Sequence, residues 1–186
     1  MKICIDPGHG GSDPGACGCG LQEKDIALII GAKVKYYLQA VGHKVVMTRE
    51  TDKDVGFAYD SVIEELQPRC DISNRAETDI FVSIHCNAFN KAAHGTQTSY
   101  CASSVEGSKL ADYVQKQIIG LGGLTDRGIN TQSLYVTKHT DAVAILVELA
   151  FIDQADDGKK LGDPIWQDNF ARAIARGITD YAVEWR

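Results

Sequence analysis

Four side chains in this 186-residue sequence pair reactive chemistry with settings that call for an explanation: His9, Glu23, His85 and Glu148. Glu148 stands inside the apolar run Ala144 to Ile152, where burying a lone carboxylate is costly unless it has a partner. His85 follows the β-favouring run Asp79 to Ile84, so its ring needs a hydrogen bond or a metal. His9 lies in Pro7-Gly8-His9-Gly10-Gly11 and, taken alone, reads equally well as a solvated turn residue. Glu23 precedes a long helix, where a carboxylate also complements the positive end of the helix dipole. Two histidines and one carboxylate form a common catalytic zinc set that leaves a position for water. A second carboxylate nearby can take that water's proton and return it to a leaving amine. The separations, 14 residues from His9 to Glu23 and 62 from Glu23 to His85, form no compact motif. Spacing alone therefore leaves open which carboxylate binds and which moves protons.

Alternating strand and helix patterns have to bring these residues together. Lys2–Asp6 reads as a buried strand ended by the glycine-rich turn. Lys24–Val41 reads as a helix, with Ile26, Ile30, Val34, Tyr37 and Val41 on one face and Gly42 as its stop. His43–Thr48, Asp79–Ile84, Thr96–Cys101, Ser133–Thr137 and Val143–Leu149 read as further strands. Ser61–Glu77 reads as a helix opened by a Ser61–Glu64 capping box, and Ser104–Ile119 as another. Pro164–Trp185 closes the chain as an amphipathic helix with Ile165, Phe170, Ile174, Ile178 and Tyr181 inward. This order predicts an α/β fold, one domain over residues 1–186, with a mostly parallel or mixed central sheet and helices on both faces. In such sheets ligands bind beyond the carboxyl ends of the strands, the edge to which all four reactive residues map.

Bulk properties narrow the function classes. Hydrophobic residues make up 44% and charged residues 24%, and the net charge is −6, which argues against binding to nucleic acid or an anionic membrane surface. No apolar stretch is long enough to span a bilayer. The first residues lack the apolar core of a signal peptide. The six cysteines, at 4, 17, 19, 70, 86 and 101, lack the spacing of a small stapled scaffold and are expected as free thiols. Oligomeric state is not legible.

At the reactive residues the sequence resembles the zinc-dependent N-acetylmuramoyl-L-alanine amidases of the Amidase_3 family, over nearly its whole length. Ile5-Asp6-Pro7-Gly8-His9-Gly10-Gly11 is similar to the family's opening motif, Ser83-Ile84-His85-Cys86-Asn87-Ala88 to its Ser-Ile-His motif, and Leu146 to Ile152 to its late motif. The resemblance implies zinc held by His9, Glu23 and His85, and Glu148 as catalytic base. It further implies hydrolysis of the amide between N-acetylmuramic acid and L-alanine in peptidoglycan, in the setting of wall lysis or remodelling at the bacterial cell wall, as for an endolysin or a secreted or sporulation enzyme. Asp6, Arg69 and Asn74 resemble family positions that support the site, and Arg127-Gly128-Ile129 resembles the segment before the strand expected at Leu134. Gln97 stands where family members often carry glutamate, Ala150 where they often carry glycine, and Cys86 where they carry a smaller residue. Three rival readings are a cysteine hydrolase using Cys86 or Cys70, a wall-binding module without catalysis, and a thiolate zinc site built from Cys17, Cys19 and His9.

Overall fold

The computed structural model describes residues 1–56 and 62–185. Among these, six strands form one sheet in the order β4-β1-β5-β8-β6-β7: β1 Lys2–Pro7, β4 Lys44–Met47, β5 Ile80–Asn87, β6 Thr96–Tyr100, β7 Asp126–Thr131 and β8 Val143–Phe151. A two-stranded hairpin, β2 Cys17–Gly18 with β3 Leu21–Gln22, stands apart. The helices are α1 Glu23–Ala40, α2 Val62–Arg75, α3 Val105–Ile119, α4 Tyr135–His139, α5 Ala155–Gly162 and α6 Pro164–Glu184. β4, β1, β5 and β8 run parallel; β6 runs antiparallel to β8, and β7 runs parallel to β6. The sheet is thus mixed, as the alternating pattern predicts. No helix among the described residues is long and apolar enough to cross a membrane.

Successive strand side chains point to opposite faces, and the two faces differ. Ile3, Ile5, Val82, Ile84, Cys86, Ile145, Val147 and Leu149 join a large core with residues of α1, α3 and α6. Cys4, Phe81, Ala144 and Leu146 join a small one with Cys70 of α2 and Val136 of α4. The small-core face then turns polar towards the carboxyl ends of β1, β5 and β8, because Asp6, Ser83, His85 and Glu148 continue the same period-two series.

Several expectations are corrected. Ser133–Thr137 is not a strand. Leu134 precedes the helical turn α4, which packs on α2 while the Tyr135 hydroxyl donates to Gln67 Oε1; this tertiary contact outweighs the β-branched character of Val136 and Thr137. The strand before it is β7, a polar edge strand whose Gly128 adopts φ 73°. The Asp79–Ile84 strand continues through His85 to Asn87, so His85 lies within β5. Glu23 is the first residue of α1 and does not merely precede it. Ile165 is 70% exposed in the first turn of α6, outside the inner face, and Val41 lies past the end of α1, 59% exposed. The Ser61–Glu64 capping box falls outside the described residues and side chains. α5 and the β2–β3 hairpin carry too little apolar pattern to be legible. All six cysteines are free thiols, as expected.

Candidate active site

The turn after β1 is built around an arginine pair. Arg69 of α2 donates to Asp6 Oδ1 (2.8 Å), the Pro7 carbonyl (2.9 Å) and the His9 carbonyl (2.8 Å). Arg49, 1% exposed, donates to the carbonyls of Pro7 (3.0 Å), Gly8 (2.8 Å) and Lys24 (2.7 Å). Buried carbonyls need such donors, and these fix the path of the turn. His9 is held at φ 59°, a left-handed conformation uncommon outside glycine that persists only where the surroundings impose it. Asp6 is fully buried and also accepts from the hydroxyls of Thr48 and Ser83, both at 2.7 Å. Burial opposes its ionisation, but Arg69 and the two hydroxyls outweigh that, and its pKa falls below the usual carboxylate range.

His9, Glu23 and His85 meet at the carboxyl edge of β1 and β5. Glu23 Oε1 lies 3.1 Å from His9 Nε2 and 2.9 Å from His85 Nδ1. The two imidazoles face each other edge-on with centroids 4.9 Å apart. Backbone amides hold the carboxylate: Cys86 N donates to Oε1 (2.9 Å) and Ala16 N to Oε2 (2.8 Å). His9 Nδ1 is paired with Asp13 Oδ2 at 2.5 Å, which directs Nε2 at Glu23. Two glycines permit the crowding. A Cβ on Gly8 would collide with the His85 ring, and one on Gly15, at φ 64°, would fall 2.6 Å from the His9 ring and 2.7 Å from Glu23 Oε2. Burial opposes charge on His9, but Glu23 and Asp13 outweigh it and raise the imidazole to about 9. Burial likewise opposes ionisation of Glu23, and the two histidines outweigh it and push its pKa far down. A carboxylate flanked by two imidazole nitrogens is a donor arrangement that could hold a metal ion.

Glu148 stands beside this cluster. Its Cα pairs in register with His85 of β5 and with Gln97 of β6, so its side chain shares their face. Its Oε2 is buried with no hydrogen-bond partner among the described residues. Burial raises its pKa; His85 pulls it back and Glu23 adds to the rise. The residue lines a cleft of about 330 Å³ together with Asp6, His9, His85, Arg69 and the apolar Leu134, Tyr135 and Leu146.

The donor set fits zinc. His9, Glu23 and His85 offer ligand atoms within 4.8 Å of one another and form the one such metal-capable group found among the described residues. Donors bound at about 2.0–2.2 Å in a tetrahedron lie roughly 3.4 Å apart, close to the spacing already present. Cys17 and Cys19 are exposed on the β2–β3 hairpin, their thiols turned to the carbonyls of Gly15 (3.7 Å) and Gln154 (3.6 Å), and they are not in this group. Cys86 points into the large core, opposite His85, and burial raises its thiol well above the normal range. Cys70 is buried and raised as well, so neither is placed as a nucleophile. Asn74 is remote: it accepts from Asp141 N and donates to the His139 carbonyl, pinning the turn after α4. Sequence reasoning missed Asp13 and Arg49. A carboxylate four residues from His9 was a usable signal for the first; nothing in Thr48-Arg49-Glu50 marked the second.

A family model described as N-acetylmuramoyl-L-alanine amidase matches residues 3–180. The germination-specific N-acetylmuramoyl-L-alanine amidase of Bacillus subtilis is 34% identical over 190 residues, spanning 98% of this chain and 80% of that protein. The amidase LytC of the same organism is 36% identical, but this chain spans only 35% of its length. The solved structure of the amidase AmiC2 of Nostoc punctiforme superposes with a TM-score of 0.88 at 35% identity, covering 98% of this chain and 97% of that one.

Proposed function

The chain belongs to the Amidase_3 family of N-acetylmuramoyl-L-alanine amidases, and on that premise we propose that it is a zinc hydrolase of the amide joining N-acetylmuramic acid to L-alanine in peptidoglycan. In this reading His9, Glu23 and His85 hold the metal and Glu148 is the catalytic acid/base. The observation that carries it is the buried, unpartnered Oε2 of Glu148, in register beside His85 at the wall of the cleft. Zinc in such a site supplies Lewis acidity and water acidified towards a pKa of about 7.

The chain's own residues do the rest. Glu148 takes a proton from the attacking water at Oε2 as the oxygen bonds to the lactyl carbonyl carbon. It then delivers that proton to the amide nitrogen as the C–N bond breaks, freeing a carboxylate on the sugar and an amine on L-alanine. Its raised affinity for protons suits both halves of the transfer. Asp13 fixes the His9 tautomer, as outer carboxylates commonly do for metal-bound histidine. Asp6, Arg69 and Arg49 hold the turn that carries His9. The substrate places the enzyme's work at the bacterial cell wall.

Mass analysis of peptidoglycan digested by the protein tests this. New amino termini on L-alanine, abolished by a chelator and restored by zinc, are expected. Cleavage elsewhere in the stem peptide, or activity indifferent to chelation but lost on thiol alkylation, would overturn the reading.

A further inference from the structure

Among the described residues, every arginine but one is paired with an aspartate or caged by carbonyls. Arg69, Arg75, Arg172 and Arg176 each pair with an aspartate, at Asp6, Asp71, Asp168 and Asp180. Arg49 is caged by carbonyl oxygens. Arg127, exposed at the start of β7, has no carboxylate partner among the described residues. Its guanidinium lies 5.1 Å from the centroid of the Phe151 ring, and Nη1 reaches only the His94 carbonyl at 3.5 Å. The nearest acidic group in sequence, Asp126, is committed through Oδ1 to Gln115 Nε2 (2.7 Å) and Gly128 N (2.8 Å).

Its place relative to Glu148 is set by the ladder. Gln97 is opposite Glu148, and Gln97 Nε2 donates to the Arg127 carbonyl at 3.3 Å. β6 and β7 run opposite to β8, so their first residues lie at the same edge as the carboxyl ends of β5 and β8. Two strand spacings of about 4.8 Å separate the backbones of Glu148 and Arg127. The rim between them is pinned. Asp153 Oδ2 accepts from the amides of Phe89 and Lys91, and Asp157 Oδ2 from those of Gly95 and Phe151. A planar cation parked on an aromatic face, presented by a fixed rim in a chain of net charge −6, is a preorganised carboxylate receptor.

We propose that Arg127 binds the free α-carboxylate of the second stem residue, D-glutamate, and so sets which stem peptides are cut; this rests on the amidase reading above. One extended residue spans about 3.3–3.6 Å, so that carboxylate lies about 7 Å from the cleaved amide. This is less than the roughly 9.6 Å between the Glu148 and Arg127 backbones, and the Arg127 side chain shortens the gap by leaning back over Phe151 of β8. The contact forms equally in ground and transition states, and its loss appears in KM rather than kcat.

The test uses two synthetic muropeptides, N-acetylmuramoyl-L-alanyl-γ-D-glutamyl-L-lysine and the same compound with the D-glutamate α-carboxyl amidated. The wild-type enzyme is expected to favour the free carboxylate about tenfold in kcat/KM, through KM. Arg127→Gln is expected to erase that preference by losing the carboxylate substrate's advantage only, and Arg127→Lys to restore part of it, both with unchanged Tm. An absent wild-type preference, a preference surviving in Arg127→Gln, or an equal fall on both substrates would overturn the proposal. Failure of the wild type to cut either compound would instead strike the amidase reading itself.

Discussion

The two faces of strands β1, β5 and β8 are made from alternate residues of the same segments, yet they do different work. One face carries Ile3, Ile5, Val82, Ile84, Ile145, Val147 and Leu149 into a core closed by α1, α3 and α6. The other begins equally apolar at Cys4, Phe81 and Ala144 and ends in Asp6, Ser83, His85 and Glu148. The first face has full helical cover. The second is covered by α2 and the short α4 and leaves the cleft open over the carboxyl edge. Reactive groups are thereby fixed by strands whose other side is packed, which is how a fold holds a site rigid while exposing it. It follows that stability and chemistry should separate by face.

The largest effect expected is on chemistry. Glu148→Gln should lower kcat about 10²–10⁴-fold while keeping zinc content and Tm, measured by peptide release from sacculi beside metal analysis and calorimetry. Substantial turnover in that variant would remove Glu148 from proton transfer. Asp6→Asn crosses the division, because Asp6 belongs to the reactive face but is fully buried against Arg69. Breaking a buried pair costs about 3–5 kcal/mol, and since Arg69 also holds the His9 carbonyl, zinc affinity should fall with stability. Urea unfolding and zinc titration together read both losses.

Ile145→Ala lies on the apolar face three residues before Glu148. It should cost about 2–5 kcal/mol of stability and leave kcat per folded molecule unchanged; a matching fall in kcat would show that the faces do not separate. The smallest effect is acid dependence. Asp6 titrates lower in the folded protein than its unfolded value of about 3.9. The stability it contributes is therefore complete above that value and lost as pH falls through it towards the folded pKa. Between about pH 5 and about pH 3 the wild type should lose more unfolding free energy than Asp6→Asn.

The apolar face was legible because a buried strand or helix writes its period into the sequence, as in Ile80 to Ile84 and in Phe170, Ile174 and Ile178. Glu148 and His85 were legible because each interrupts or ends an apolar strand pattern, and His9 because it sits in a glycine turn. Glu23, at the start of a helix, has no such signal, and its place in the metal set came only through the resemblance. What escaped has no period to show. β7 is Asp-Arg-Gly-Ile-Asn-Thr at a sheet edge, α5 is Ala-Asp-Asp-Gly-Lys-Lys-Leu-Gly held by the Gln154 cap, and α4 takes its helical turn from contact with α2. Arg49 satisfies carbonyl oxygens, and backbone partners leave no trace in side-chain spacing.

The proposed chemistry depends on His9, Glu23 and His85 sharing one zinc ion beside Glu148. X-ray absorption at the zinc edge of the purified protein tests it most directly. One zinc per chain with only nitrogen and oxygen neighbours at about 2.0–2.2 Å is expected, and loss of that zinc in His85→Ala. A sulfur neighbour at about 2.3 Å, lost on replacing Cys17 and Cys19, would contradict it.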